Sequence, residues 1–365
     1  MKTTVAMVTE PGGAFTLTEV DLEGPRDDEV LVRIVAAGLC HTDLTMRTML
    51  PAEMFPNVFG HEGAGVVEAV GPAVSGIEVG DHVALSFRHC GACSKCAEGL
   101  VGYCESSLLL NYMGMRMDGS MTYSQDGAPV FGSFFGQSSF SRHAIAYADN
   151  CVVVDKSLDL TRVAPYGCGF QTGAGTVINL LQPTPTESLV VFGVGAVGLA
   201  AIAAAKARGV ENVVAVDLLA ARLETAVAFG ATPVDPASLG EQSVVEKVKE
   251  LTGGGASYAI DTTAVPAVVK QAQQALAPRG TLVALGLGPE EYVIDAIDLL
   301  QSGKRIMSSI EGESVPQETI PELLALAAEG RFPVADLIRT YPFEEINQAV
   351  HDVESGAVVK AVLTW

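Results

Sequence analysis

The chain has 365 residues, 48% of them hydrophobic and 18% charged, and a formal net charge of −21. That length sets two domains as the expectation, and the composition is that of a globular protein with a generous interior. The acidic balance speaks against nucleic-acid and anionic-membrane partners, which need Lys and Arg gathered on one face, and no apolar stretch is long enough for a secretion signal or a membrane-spanning helix, so a cytoplasmic protein is expected.

Residues 1 to about 165 are rich in Gly, Pro and short apolar alternations, such as Val30-Leu31-Val32-Arg33-Ile34-Val35 and Gly65-Val66-Val67-Glu68-Ala69-Val70. Short runs punctuated by turn residues predict a β-rich domain of small strands. Within it, Cys90, Cys93, Cys96 and Cys104 spell C-x2-C-x2-C-x7-C, flanked by Gly91, Gly99 and Gly102. Four thiolates so close can surround one tetrahedral ion, the arrangement of a structural zinc. The alternative, a disulfide cluster, needs an oxidising compartment.

From about Thr172 to Ile310 the pattern changes to strand–helix alternation. Strands are expected at Leu189–Phe192, Val213–Asp217, Tyr258–Asp261 and Leu282–Leu285, with helices at Ala196–Arg208 and Leu219–Phe229. This alternation predicts a parallel doubly wound sheet. Gly193-Val194-Gly195-Ala196-Val197-Gly198 is G-x-G-x-x-G, set directly after an apolar run and before an Ala-rich helix. Gly193 would permit the tight turn, Gly195 the approach of a pyrophosphate and Gly198 close helix–strand packing, with the phosphates at the helix N-terminus. Asp217 closes the next strand. A carboxylate there can accept both hydroxyls of the adenosine ribose and repels a 2′-phosphate, so NAD is favoured over NADP. A helix N-cap is the other use of such an Asp. Arg222, five residues on, could instead neutralise an NADP phosphate.

A helix is expected at Pro321–Ala328, then a strand–helix–strand tail ending in Val358–Trp365. The expected course leaves the first domain, builds the second and returns, giving 1–169 with 311–365 as one domain and 170–310 as the dinucleotide domain.

Three further potential ligands stand in Gly38-Leu39-Cys40-His41-Thr42-Asp43, in Gly60-His61-Glu62-Gly63-Ala64-Gly65, and in Gly167-Cys168-Gly169-Phe170-Gln171-Thr172-Gly173, with Cys151 left over. With G-H-E-x-x-G, the four-cysteine lobe and G-C-G-F-x-T-G together, the whole chain resembles the zinc-dependent medium-chain alcohol dehydrogenases. Phe135-Gly136-Gln137-Ser138-Ser139-Phe140 is similar to a stretch of the bacterial aryl-alcohol (benzyl alcohol) dehydrogenases. The resemblance implies a GroES-like catalytic domain beside the Rossmann domain. It implies two zinc ions per chain, with Cys40, His61 and Cys168 holding the catalytic one and leaving a fourth position for water or alcohol, whose hydroxyl the metal acidifies. Asp43 would orient His61. Glu62 matches a residue behind the zinc that can join it transiently. Thr42 matches the hydroxyl that starts proton transfer. The family's next relay position is His, and here it is Thr45, which cannot act as a base, so water or His41 would take over. His41 also stands where Arg commonly contacts the cofactor pyrophosphate. Thr172 and Val197 match residues packed against nicotinamide.

The resemblance further places Phe134 and Phe135 in the substrate cleft, with Met49, Pro51 and Leu108 to Leu110 on its outer wall. Such a slot suits a benzylic or allylic alcohol oxidised to its aldehyde. Glutathione-dependent formaldehyde dehydrogenases, the alternative, carry acidic residues and Arg where Met49, Pro51 and Leu108 stand. A non-catalytic NAD-binding relative would have lost zinc ligands that are all present here. The stretch from Cys104 to Phe134 resembles the long loop typical of the family's dimeric members, which implies a homodimer, with a homotetramer as the alternative.

Overall fold

The computed structural model describes all residues from Met1 to Trp365. They form two units, the first being Met1–Cys168 with Val315–Glu322 and Leu337–Trp365, the second Gly169–Ser314 with Leu323–Asp336.

The first unit is built on the strand Glu29–Gly38, whose sequence EVLVRIVAAG buries nearly every side chain. It pairs antiparallel with Gly63–Val70, with His143–Tyr147 and, at its far end, with Lys360–Thr364. Register shifts between Leu31 and Val32 and between Ile34 and Ala36 let one strand bend and serve several partners. His82–Leu85 and Cys151–Val154 extend this sheet on one side and Ile338–Pro342 on the other. A second sheet runs in the order Asn57–Val58, Lys2–Val8, Thr16–Leu22, Tyr123–Gln125 and Ala128–Val130. The main core gathers Val30, Val32, Ile34, Phe59, Val67, Leu85 and Phe140.

The expected tail is present: strand Ile338–Pro342, helix Ile346–Glu354 and strand Lys360–Thr364, the two strands parallel. The helix buries Ile346, Ala349, Val350 and Val353, a stripe at helical spacing.

The second unit is a six-stranded parallel sheet in the order Thr232–Val234, Asn212–Val216, Ser188–Phe192, Ala256–Asp261, Leu276–Ala284 and Arg305–Ser308. Its strand order reverses beside Ser188–Phe192, the point at which doubly wound sheets bind ligands. Ser188–Phe192 is buried throughout, which explains its unbroken apolar sequence.

One boundary differs from expectation. The helix read from Pro321 begins at Pro316 and holds Pro321 in its interior. Pro316 takes the early helical position that suits proline, and in the sequence alone Pro321 offers the same signal five residues later. Gly169 and residues 311–314 and 323–336, expected with the first domain, belong to the second unit. Arg331 there donates to the Ala207 carbonyl at 2.7 Å, and Phe332 and Val334 are wholly buried.

Candidate metal centre and cofactor turn

Cys40, His61, Glu62 and Cys168 converge, with one ligand atom of each within 4.8 Å of all the others. Cys40 stands in extended conformation just ahead of the helix His41–Met49. Asp43, in that helix's first turn, is fully buried and turns its carboxylate back. It accepts the Cys40 N–H at 3.1 Å, the Gly60 N–H at 3.0 Å and the His61 ring at Nδ1, 2.8 Å away. A carboxylate at Nδ1 fixes a proton there and leaves the Nε2 lone pair free. That Nε2 is buried without a hydrogen-bond partner. Burial opposes a charge on His61, but the Asp43 carboxylate outweighs it and raises the imidazole well above its usual range, so a cation would bind at Nε2 by displacing a proton. A hydrogen bond from Cys168 holds the Cys40 thiol well below its own. Buried thiolate sulfur beside an orphaned imidazole nitrogen is a donor set for a borderline-soft divalent cation, and zinc fits it.

Glu62 is also fully buried, but Lys360 claims it: the ammonium lies 2.5 Å from Oε2 and also donates to the Leu39 carbonyl at 3.2 Å. Burial pushes the Glu62 carboxyl up to about 7 against the pull of Lys360. Lys360 was not among the expected residues, and its one signal is a charge inside the apolar strand Lys360–Thr364. The Thr42 hydroxyl lies 3.8 Å from Cys40 Sγ. His41 is exposed at the helix start, and Thr45 is half-buried.

Aromatic rings back the centre. Phe135 lies 4.6 Å from the His61 ring, tilted by 33°, and Phe134 meets His61 edge-on at 5.7 Å. Phe134 has no exposed surface and packs behind Phe135, while Met49 and Leu108 are 69% and 68% exposed on the first unit.

The four cysteines of the lobe also gather, again within 4.8 Å, and all seven cysteines are free. Backbone donors reach the sulfurs: Cys90 N–H to Cys104 Sγ at 3.2 Å and Cys93 N–H to Cys90 Sγ at 3.3 Å. N–H groups of Glu105 and Cys96 bring the Cys93 thiol down to about 6, and burial pushes Cys96 up to about 12.

In the second unit the three glycines divide the expected labour. Gly193 has φ +81°, a Cβ on Gly195 would meet nothing nearer than 4.0 Å, and a Cβ on Gly198 would overlap the Gly193 carbonyl. Asp217 accepts the Val194 N–H at 2.8 Å and the Leu219 N–H at 2.9 Å, so it also braces the turn. Arg222 Nη1 stands 3.9 Å from Asp217, and its Nε is buried without a partner. Val197 lies in the first turn of the helix Ala196–Ala207. Thr172 donates to Glu311 at 3.2 Å, a residue with φ +52° that carried no distinct sequence signal.

Two family models match the chain: an alcohol dehydrogenase GroES-like domain over residues 26–156 and a zinc-binding dehydrogenase over residues 196–329. A geraniol dehydrogenase of Castellaniella defragrans is 41% identical across 99% of this chain and 97% of its own length. A zinc-binding alcohol dehydrogenase structure from Burkholderia ambifaria superposes with a TM-score of 0.95 at 42% identity, covering 100% of this chain and 99% of that one. The benzyl alcohol dehydrogenase of Acinetobacter calcoaceticus gives 0.94 at 39% identity, with the same coverage.

Proposed function

The chain belongs to the zinc-dependent medium-chain alcohol dehydrogenase family, and from that premise we propose that it interconverts primary allylic or benzylic alcohols and their aldehydes with NAD. The observation that carries this reading is the buried convergence of Cys40, His61 and Cys168 around an orphaned imidazole nitrogen. Those three residues would hold one zinc, and Cys90, Cys93, Cys96 and Cys104 a second. Bound zinc supplies Lewis acidity that lets an alcohol lose its proton near neutral pH, and bound NAD supplies the hydride acceptor. Asp43 keeps the His61 proton on Nδ1. Thr42, whose hydroxyl sits beside Cys40, would receive the substrate proton and pass its own on, and exposed His41, its neighbour in sequence, is the ionisable candidate to take it. Glu62, held by Lys360, offers a carboxylate close behind the ligands.

Asp217 supports NAD over NADP, since its carboxylate already fills the position that a 2′-phosphate would approach. Phe135 against His61 supports an unsaturated or aromatic substrate, which also agrees with what the geraniol and benzyl alcohol relatives act on. Burying a ring there adds about 2 kcal/mol of transition-state binding. Exposed Val293, Ile297, Leu300 and Met307 around the edge strand Arg305–Ser308 support a homodimer. Free thiols throughout suit the cytoplasm.

Kinetics on benzyl alcohol, geraniol and ethanol with NAD and NADP test the reading. The two unsaturated alcohols should exceed ethanol in kcat/KM by about tenfold or more, with NAD preferred. Ethanol turned over equally well removes the aromatic slot, and equal use of NADP removes the role of Asp217.

A further inference from the structure

The segment Phe135-Gly136-Gln137-Ser138-Ser139-Phe140 contributes one ring to the reading above, yet its polar side chains are all wholly buried. Gln137 Nε2 donates to two backbone carbonyls, those of His61 and Ser86, each at 3.0 Å. Its Oε1 accepts the Gly63 N–H at 3.0 Å. Both N–H donors and the carbonyl of this amide are therefore spent on the backbone around one metal ligand. Ser86 carries the connection onward, since its hydroxyl donates at 2.7 Å to the carbonyl of Gly167, the residue before Cys168.

The rest of the segment holds Gln137 in place. Ser138 Oγ donates to the Val58 carbonyl at 2.6 Å, the Ser139 N–H to Gly60 at 2.9 Å and the Phe140 N–H to Phe59 at 3.0 Å. Asn150 donates to the carbonyls of Phe135 and Gly136 at 3.0 and 3.1 Å. Phe135 and Ser138 take left-handed φ values of 51° and 49°, which L-residues keep only where their surroundings impose them. Room is made by glycine. A Cβ on Gly63 would stand 2.8 Å from Ser139 Cβ, and one on Gly60 would stand 2.4 Å from the Phe140 nitrogen.

We propose that Gln137, acting through Ser86, is a positioning residue that fixes the spacing of His61 and Cys168. This inference rests on reading their cluster as the zinc centre. Asp43 already ties Cys40 to His61, and Gln137 with Ser86 ties His61 to Cys168, so all three ligands are referred to one frame. The frame matters because a metal site tolerates ligand displacements of only about 0.2 Å. A Gln137→Leu side chain fills similar volume but removes the hydrogen bonds that the amide makes to the His61 and Ser86 carbonyls and to the Gly63 N–H.

The test uses full-length protein loaded with cobalt(II). The bands of the Cys40, His61 and Cys168 centre are identified by their absence in His61→Ala. In Gln137→Leu those bands should shift, and metal should leave that centre for a chromogenic chelator about tenfold faster or more. Ser86→Ala should change both in the same direction by a smaller factor, and the double variant should go no further than Gln137→Leu alone. Release from the four-cysteine lobe and NADH binding by fluorescence should match wild type. Unshifted bands and a wild-type release rate in Gln137→Leu overturn the proposal. If Gln137→Leu does not fold, Ser86→Ala decides, and a wild-type spectrum and release rate there overturn it equally. Wild-type protein that loads no metal at this centre defeats the proposed function itself, whereas normal loading with indifferent variants defeats only the positioning role.

Discussion

Cys90, Cys93, Cys96 and Cys104 come from one short exposed lobe, and their sulfurs are met by N–H groups of the same loop. Cys40, His61 and Cys168 come from three segments, and their positions are set by side chains that reach between segments: Asp43 and, by the inference above, Gln137 and Ser86. The lobe needs little beyond its own sequence. The buried centre exists only once the sheets of the first unit are in register. A local cluster can therefore be lost with local consequences, while the distributed one is coupled to the whole unit but, being backed by the core, can lose a ligand without losing the fold.

The largest expected effect breaks the distributed centre. His61→Ala should lower kcat/KM by at least about a thousandfold, several kcal/mol of transition-state stabilisation. Elemental analysis should find two zinc ions per chain in wild type and one in the variant, with NADH binding unchanged. Loss of both metals would show that the two clusters are not independent.

Next comes the attachment of the segment that follows the lobe. Arg116 is buried and reaches both oxygens of buried Glu29, at 2.6 and 3.0 Å, and the Met121 carbonyl at 2.9 Å. Arg116→Met leaves the Glu29 carboxylate in the core without its partner and should cost about 3 kcal/mol in urea unfolding. pH sharpens the same point. Burial alone would raise the Glu29 carboxyl, but Arg116, with the Arg26 N–H and the Tyr147 hydroxyl, more than offsets it and the folded value falls below the usual 4.5. A depressed folded value means stabilisation that is present above about 4.5 and lost as pH falls through the lower folded value. Wild type should keep this contribution at pH 5, and Arg116→Met should lose most of it there, retaining only what the Arg26 N–H and Tyr147 hydroxyl supply.

The smallest effect breaks the local cluster. Cys93→Ser should lower Tm by about 5 °C, and folded enzyme at 25 °C should keep its kcat. A kcat falling in step with metal content would show that the lobe reaches the chemistry.

The contrast also sorts what the sequence made legible. The lobe and the turn Gly193–Gly198 are runs in which spacing is geometry, so residue type and offset were enough. Joining Cys40 to His61 and Cys168 needed the family resemblance, because no spacing rule spans such distances. Lys360 and Gln137 were missed as functional parts. A lysine in an apolar strand and a glutamine in a Ser-rich turn show their use only when the fold brings the Glu62 carboxylate or the His61 carbonyl alongside. The start of the helix at Pro316 was missed because two prolines competed for the same signal.

The strand Lys360–Thr364 has a consequence for biosynthesis. It supplies Lys360, the partner of Glu62, and pairs Val362 with Gly38 beside the ligand-bearing turn. On the ribosome it emerges only after all of the second unit, whose strands from Ser188 to Ser308 are sequential and can pair as they appear. The nascent chain thus completes the later-starting unit first, while the metal centre waits with its sheet unfinished and Glu62 without its counter-ion. Zinc capture that needs the finished frame would thereby wait until Lys360 and Val362 have left the ribosome.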